Sequence, residues 1–176
     1  MRQIIALMTF CLLTSIAGKC YGQIDIAMLL GERTSSLESP LAYGTFLKFG
    51  FPINEADEIS AEASFLTWDE TDAGYFAGKV GYVFTLNRQG YGLFIEPQAG
   101  YVFVGSDPWY NNYYGTGDFT GAIGTMNVGY RFGQNRFKAD LALRYEHVFS
   151  NNVGQISTIG LRFAIPLGIG RGKYYE

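Results

Sequence analysis

The chain has 176 residues, enough for one domain, and combines 23 glycines and 16% aromatic residues with only 16% charged residues. An ordinary soluble domain carries about a quarter charged residues, and a nucleic-acid-binding domain is usually basic, whereas this chain has a formal net charge of −3. The composition therefore argues against a nucleic-acid partner and favours an all-β chain, including one that contacts lipid.

The first 22 residues are typical of a cleaved secretion signal. Arg2 supplies the positive end, residues 4–13 form an apolar core, and small residues lead to an expected cleavage after Gly22. The apolar stretch is too short for a membrane-spanning helix, which needs roughly 20 residues. Lipidation at Cys20 is the alternative, but Lys19 stands where a lipoprotein signal has a small residue.

After the signal, the chain divides into eight segments of period-two alternation separated by turn residues, which predicts eight β-strands. The expected strands are 24–32, 42–51, 58–68, 74–86, 91–104, 118–132, 136–149 and 153–165. A tilted membrane-spanning strand has roughly 9–11 residues, close to these lengths. We therefore expect an all-β, eight-stranded, antiparallel up-and-down transmembrane β-barrel over residues 23–165, followed by a short tail at 166–176.

The connections between these segments alternate in length. The second, fourth and sixth are short (PINEAD, NRQG and GQN), whereas the fifth, GSDPWYNNYYGTG, is the longest. The seventh, SNN, is short although it belongs to the odd set. Outer-membrane barrels have short periplasmic turns and longer outer loops, so the odd-numbered connections are expected to face outward.

The two faces of each segment differ in polarity. In 136–149, Leu141, Leu143 and Phe149 share one face, while Asp140 and Arg144 share the other. The lumen of an eight-stranded barrel barely accommodates bulky side chains, so we expect the apolar face to meet lipid and the polar face to point inward. Aromatic residues on the apolar face near the strand ends would form a girdle: Tyr43, Phe51, Tyr91, Tyr101, Tyr130 and Tyr145. A soluble barrel is the alternative.

Charged residues on the inward face are nearly balanced in sign. By strand parity they are Asp25, Lys48, Glu62, Lys79, Glu96, Arg131, Lys138, Asp140, Arg144, Glu146 and Arg162. Buried charges are tolerated when they are paired and hydrogen-bonded, so this balance predicts a network filling the lumen. A narrow porin is the alternative.

The pattern of signal, eight strands and alternating connections resembles the eight-stranded outer-membrane β-barrel families (OmpX-like and OmpA-transmembrane-domain-like). The last strand is similar to the insertion signal of such proteins at Thr158, Gly160, Phe163 and Ile165. The resemblance implies a monomer in a Gram-negative-type outer membrane, in contact with its lipids and lipopolysaccharide and inserted by the barrel-assembly machinery. The tail is a departure, because this signal usually stands at the C-terminus.

The only histidine, His147, lies in RYEHVFSNN at residues 144–152. This stretch is similar to the lipid A 3-O-deacylase family (PagL), which carries His-x-Ser-Asn on its penultimate strand. The resemblance implies an acyl hydrolase with His147 as base, Ser150 as nucleophile and Asn151 as oxyanion donor. The spacing departs from the family, because His-x-x-Ser places Ser150 on the other face unless a bulge intervenes. The alternative is a rim histidine followed by a tight turn.

The fifth connection carries an aromatic and amide cluster suited to protein or glycan recognition. Its residues are Trp109, Tyr110, Asn111, Asn112, Tyr113 and Tyr114. A loop that folds back over the barrel rim is the alternative. The sequence contains no metal-ligand cluster, phosphate loop or paired catalytic carboxylates, so we expect neither metal nor cofactor. The sequence thus predicts a non-enzymatic barrel with a structural or recognition role, the hydrolase and the porin being alternatives.

Overall fold

The computed structural model describes residues 21–33, 41–54, 56–69, 73–87, 90–106, 118–133, 139–150 and 155–166. Within the first and last of these ranges, side chains are described only for residues 26–29 and 155–165. It is a closed barrel of eight strands in sequence order, each antiparallel to its neighbours, with the first strand paired to the last. The strands are β1 (Tyr21–Arg33), β2 (Leu41–Pro52), β3 (Asp57–Trp68), β4 (Gly74–Thr85), β5 (Gly92–Ser106), β6 (Asp118–Phe132), β7 (Ala139–Ser150) and β8 (Gln155–Pro166). The predicted fold class is confirmed.

The strand boundaries lie within three residues of the predicted ones. The strand β1 begins at Tyr21, ahead of the cleavage expected after Gly22, and the strand β7 begins at Ala139 rather than at 136. The predicted signal segment, up to residue 20, and the predicted tail after Pro166 lie outside the described residues. No helix among the described residues is long and apolar enough to cross a membrane.

The outward face of the barrel is apolar on every strand. Because side chains alternate along a strand, the same period-two pattern that places Leu143 and Leu161 outward turns the intervening residues inward. Of the expected girdle residues, Tyr43, Tyr101, Tyr130 and Tyr145 are exposed, while Phe51 and Tyr91 are half-buried. A register shift between Val102 and Gly105 turns both Phe103 and Val104 outward.

The lumen is layered along the barrel axis. We call the end where the connections after β1, β3, β5 and β7 leave the odd end, and the opposite end the even end. At the odd end the lumen is filled by a cluster that we call the apolar plug: Leu29, Leu66, Trp68, Tyr75, Phe119, Ile123, Val148 and Ile156. The ring of Tyr75 contacts those of Trp68 and Phe119 edge-on, at centroid distances of 5.9 Å and 6.5 Å. Charged and polar side chains fill the middle, and a small apolar group of Val83, Phe94 and Ala142 lies toward the even end.

Candidate functional site

Two carboxylates and two cations form the part of the charge network nearest the apolar plug. The Arg144 guanidinium lies 2.5 Å from a Glu62 oxygen and 2.6 Å from a Glu146 oxygen. The Lys79 ammonium bridges the same two carboxylates, at 2.9 Å from Glu62 and 2.5 Å from Glu146. The Tyr75 hydroxyl donates to Glu146, so the plug and the network are hydrogen-bonded to each other. All four charged groups are buried, and each faces at least two of opposite sign.

A second group is centred on Glu96 of β5. Its carboxylate lies 2.8 Å from the Lys48 ammonium and 2.9 Å from the Arg162 guanidinium. The Ser60 hydroxyl donates to it at 2.7 Å, and the Gln98 amide donates at 3.0 Å. Gln98 also lies within hydrogen-bonding distance of Glu62, at 3.1 Å, and thereby connects the first two groups. Strands on opposite sides of the barrel are therefore tied together across the lumen.

The third group lies nearer the even end. The Arg131 guanidinium is 2.8 Å from Asp140 and 2.9 Å from Glu58. Lys48, which pairs with Glu96, also lies 3.9 Å from Glu58. A guanidinium held by two carboxylates is a strong, directional contact because both of its edges donate hydrogen bonds. The three groups together form a continuous network along the lumen.

The structure places nine of the predicted inward charges in the lumen, all buried: Lys48, Glu62, Lys79, Glu96, Arg131, Asp140, Arg144, Glu146 and Arg162. The side chain of Asp25 and the whole of Lys138 lie outside the described residues. The sequence analysis did not include Glu58 among the inward charges. Glu58, Ser60 and Glu62 share one face of β3, so the alternation that identifies Glu62 as inward identifies Glu58 as well. The described lumen thus holds five cationic and five carboxylate side chains.

On the outward face, His147 forms a polar cluster with residues from its own strand and from β8. The register pairs His147 with Ser157, and the imidazole Nδ1 lies 2.8 Å from the Ser157 Oγ. The Tyr145 hydroxyl lies 3.4 Å from the same Oγ and 3.5 Å from Nδ1. The Phe149 ring packs edge-on against the imidazole, with centroids 4.3 Å apart. We call Tyr145, His147 and Ser157 the outer triad.

The interpretation of Ser150 as nucleophile is wrong. Ser150 is buried on the lumen side, whereas His147 points outward, and the β7–β8 register runs without interruption from Val148 to Phe149. Without a bulge, residues three apart in a strand lie on opposite faces. Asn151 lies outside the described residues. The serine that His147 does contact is ten positions away in the sequence. It could have been identified only by pairing β7 with β8 as a hairpin whose turn is centred near residue 152.

The remaining predicted site residues fall into two sets. In the proposed insertion signal, Phe163 and Ile165 point outward, Thr158 is buried in the lumen, and Gly160 lies against the backbone of β1. The recognition residues Trp109, Tyr110, Asn111, Asn112, Tyr113 and Tyr114 all lie outside the described part of the chain. Within that part, no group of three or more His, Cys, Asp or Glu side chains is arranged to hold a metal ion.

Comparison with solved structures shows the same fold in known eight-stranded barrels. Neisserial surface protein A is similar over 84% of this chain and 96% of its own, with a TM-score of 0.61 and 15% identity. The attachment invasion locus protein Ail of Yersinia pestis is similar over 85% of this chain and 97% of its own, with a TM-score of 0.57 and 14% identity. The N-terminal β-barrel domain of Pseudomonas aeruginosa OprF is similar over 82% and 96%, with a TM-score of 0.50 and 13% identity. No family model and no curated protein matches the chain.

Proposed function

We propose that this chain is an integral outer-membrane barrel with a sealed lumen, reaching that membrane through its cleaved signal and acting as a structural and recognition protein. The observation that carries the proposal is the inverted distribution of side chains, with charges buried inside and large apolar side chains exposed outside. Only lipid makes such an exterior favourable. A closed barrel also satisfies all of its strand hydrogen bonds internally, which a membrane-spanning structure requires.

A sealed lumen is supported by its two different fillings. The apolar plug closes the odd end of the described lumen with apolar side chains. Below it, each charged side chain in the described part of the lumen has a partner of opposite charge. An eight-stranded barrel has room inside for little more than its own side chains. The sequence left a narrow porin as the alternative. Such a pore would require both the apolar plug and the charge network to move out of the lumen.

Planar-bilayer recording tests the seal. We expect the purified full chain to give no stepwise current above the lipid background. The triple variant Trp68→Ala, Tyr75→Ala, Phe119→Ala should also stay silent, because the charge network still closes the lumen below the plug. A porin of 16 strands, reconstituted in parallel, provides the positive control. Reproducible ion-selective steps from the unmodified chain would contradict the proposal.

Recognition is proposed to reside in the fifth connection. Tyrosine and tryptophan offer large contact areas at low cost in conformational entropy, and asparagine adds adaptable hydrogen bonds. The cluster from Trp109 to Tyr114 has this composition, and its connection leaves the barrel at the odd end. The similarity of the last strand to an insertion signal supports insertion by the barrel-assembly machinery, with the odd end outward.

Cells displaying the chain can be bound to an array of neutral and acidic oligosaccharides. We expect replacement of Trp109, Tyr110, Tyr113 and Tyr114 by serine to abolish the array signal. The matched control replaces Glu70, Thr71 and Asp72 of the third connection by serine and should keep it, at equal surface amounts. Equal signals from the unmodified chain and the first variant would argue against glycan recognition by this connection.

A further inference from the structure

We propose that a pocket on the outward face of β1, β2 and β3 holds one ester-linked acyl chain of a membrane lipid, with the Thr45 hydroxyl donating a hydrogen bond to the ester carbonyl. We call it the β2 pocket, and its outward side chains are Ile26, Met28, Tyr43, Thr45, Phe65 and Thr67. The proposal rests on the membrane embedding proposed above. It adds a ligand and the place on the barrel where that ligand is held.

The β2 pocket forms because a short side chain stands among longer ones. Strand pairing places Thr45 between Ile26 of β1 and Phe65 of β3. Tyr43 lies on the same face of β2, two residues nearer the odd end. The resulting depression has a volume of about 370 Å³. Ile26, Met28 and Phe65 are each more than half exposed, so the walls of the pocket meet the surrounding lipid.

The Thr45 hydroxyl is a polar group on this otherwise apolar surface. Two other outward hydroxyls near the odd end are bonded within the protein. The Ser157 hydroxyl lies 2.8 Å from the His147 imidazole, and the Thr67 hydroxyl donates to the Ala73 carbonyl at 3.1 Å. Thr45 has no such partner within the described part of the chain. A hydroxyl in hydrocarbon is costly without a hydrogen bond, so Thr45 requires an acceptor from the lipid.

The depth of Thr45 identifies that acceptor. Tyr43 is an exposed tyrosine of the expected girdle, and such girdles stand at the level of the lipid headgroups. Thr45 lies two residues farther along the strand. At about 3.3 Å per residue and a tilt of roughly 40°, it is about 5 Å deeper in the membrane. The polar groups of a lipid just below its headgroup are the ester carbonyls, which accept hydrogen bonds and do not donate them.

The lining of the β2 pocket selects the chain and its ester rather than the headgroup. None of the side chains that line it is charged, so it offers no cation to a phosphate. Ile26, Met28 and Phe65 instead provide apolar contact along a hydrocarbon chain. The ligand is therefore recognised by its carbonyl and by the acyl chain attached to it.

Native mass spectrometry of the purified full chain, released from a neutral detergent, tests this with two lipids. Dimyristoyl phosphatidylcholine carries two ester carbonyls, and its dialkyl-ether analogue carries none. We expect the first lipid bound to have a roughly fivefold lower Kd when it is the ester lipid, which corresponds to one hydrogen bond. Thr45→Val keeps the shape of the side chain and should give both lipids the same Kd. Tyr130→Phe removes an exposed outward hydroxyl outside the pocket and should keep the fivefold difference.

A second variant tests the apolar part of the pocket. Thr45→Phe fills the depression and should remove the first bound lipid of either kind. Heat-modifiable gel mobility verifies that each variant is folded. Flotation with vesicles of each lipid shows separately whether the chain enters a membrane.

The outcomes distinguish the pocket from the embedding. Equal Kd values for the two lipids on the unmodified chain overturn the pocket, and so does an ester preference that Thr45→Val retains. Dimers that Thr45→Phe dissociates would assign the pocket to a second copy and also overturn the proposal. A chain that floats with both kinds of vesicle but shows no ester preference overturns the pocket alone. A folded chain that floats with neither contradicts the embedding on which the pocket depends.

Discussion

Replacing Arg144 by methionine is expected to lower the free energy of unfolding by about 3–5 kcal/mol, because it leaves buried carboxylates without their principal cation. The Arg144 guanidinium contacts Glu62 and Glu146 and lies over the Phe46 ring, 4.1 Å from its centroid. Methionine keeps an unbranched apolar stem against Phe46 but removes the charge. Lys79 alone would then face both carboxylates. Urea unfolding of the barrel in lipid vesicles measures the effect.

Two comparisons show whether charge or packing causes the loss. Adding Glu62→Met to Arg144→Met should recover part of the stability, because Lys79 and Glu146 then remain as one balanced pair. Leu143→Ala, one position away on the outward face, should lower the unfolding free energy by only about 2 kcal/mol, since it shortens one lipid-facing side chain and leaves every lumen charge paired. A loss below about 1 kcal/mol in Arg144→Met would contradict a network that requires every charge to be paired.

Gly160→Ala is the second change expected to have a large effect, because β8 and β1 approach too closely there to admit a side chain. A Cβ at Gly160 would lie 2.0 Å from the Met28 carbonyl oxygen and 2.6 Å from the Leu29 Cα. Both are backbone atoms, so the strands that close the barrel would have to separate. We expect a loss of about 1–3 kcal/mol in unfolding free energy and a lower refolding yield in detergent micelles.

Gly124→Ala is the matched control, since the nearest atom to its Cβ would be in the Phe149 ring at 3.9 Å. This variant should refold like the unmodified chain. Refolding in micelles also distinguishes a role of Gly160 in the close packing of β8 on β1 from a role in recognition by the assembly machinery, because micelles contain no such machinery. Normal refolding of Gly160→Ala, combined with failed insertion in cells, would show that the glycine serves only as part of an insertion signal.

The fold could be predicted from the sequence because strand alternation reports directly on the two faces of a sheet. Residues such as Arg144 and Leu143 alternate in polarity, so the strand and the direction of each side chain follow from the same pattern. The bulge beside Val102 could not be predicted in this way, since Phe103 and Val104 are both apolar and fit either face.

The site was less predictable because its contacts depend on register and on strand tilt. Parity places Glu96 and Arg162 in the lumen, but their contact joins residues 66 positions apart through the closure of the barrel. His147 was singled out from the sequence, yet its partner is Ser157 on the next strand rather than Ser150 three residues later. Chain proximity is a poor guide to contacts in a barrel whose neighbours are set by pairing.

Spin labels on the outward face test most directly whether this chain is a lipid-embedded barrel with its charges inside. Cysteines can be placed at Leu47, Val80, Leu143 and Leu161, all exposed on different strands, with Ile53 in the turn after β2 as the reference and with Cys11 and Cys20 replaced by serine. In vesicles, the four strand positions should collide with dissolved oxygen and be shielded from a water-soluble nickel chelate, while Ile53 should be open to the chelate. Chelate access at all four strand positions equal to that at Ile53 would contradict the account, because the apolar face would then be in water.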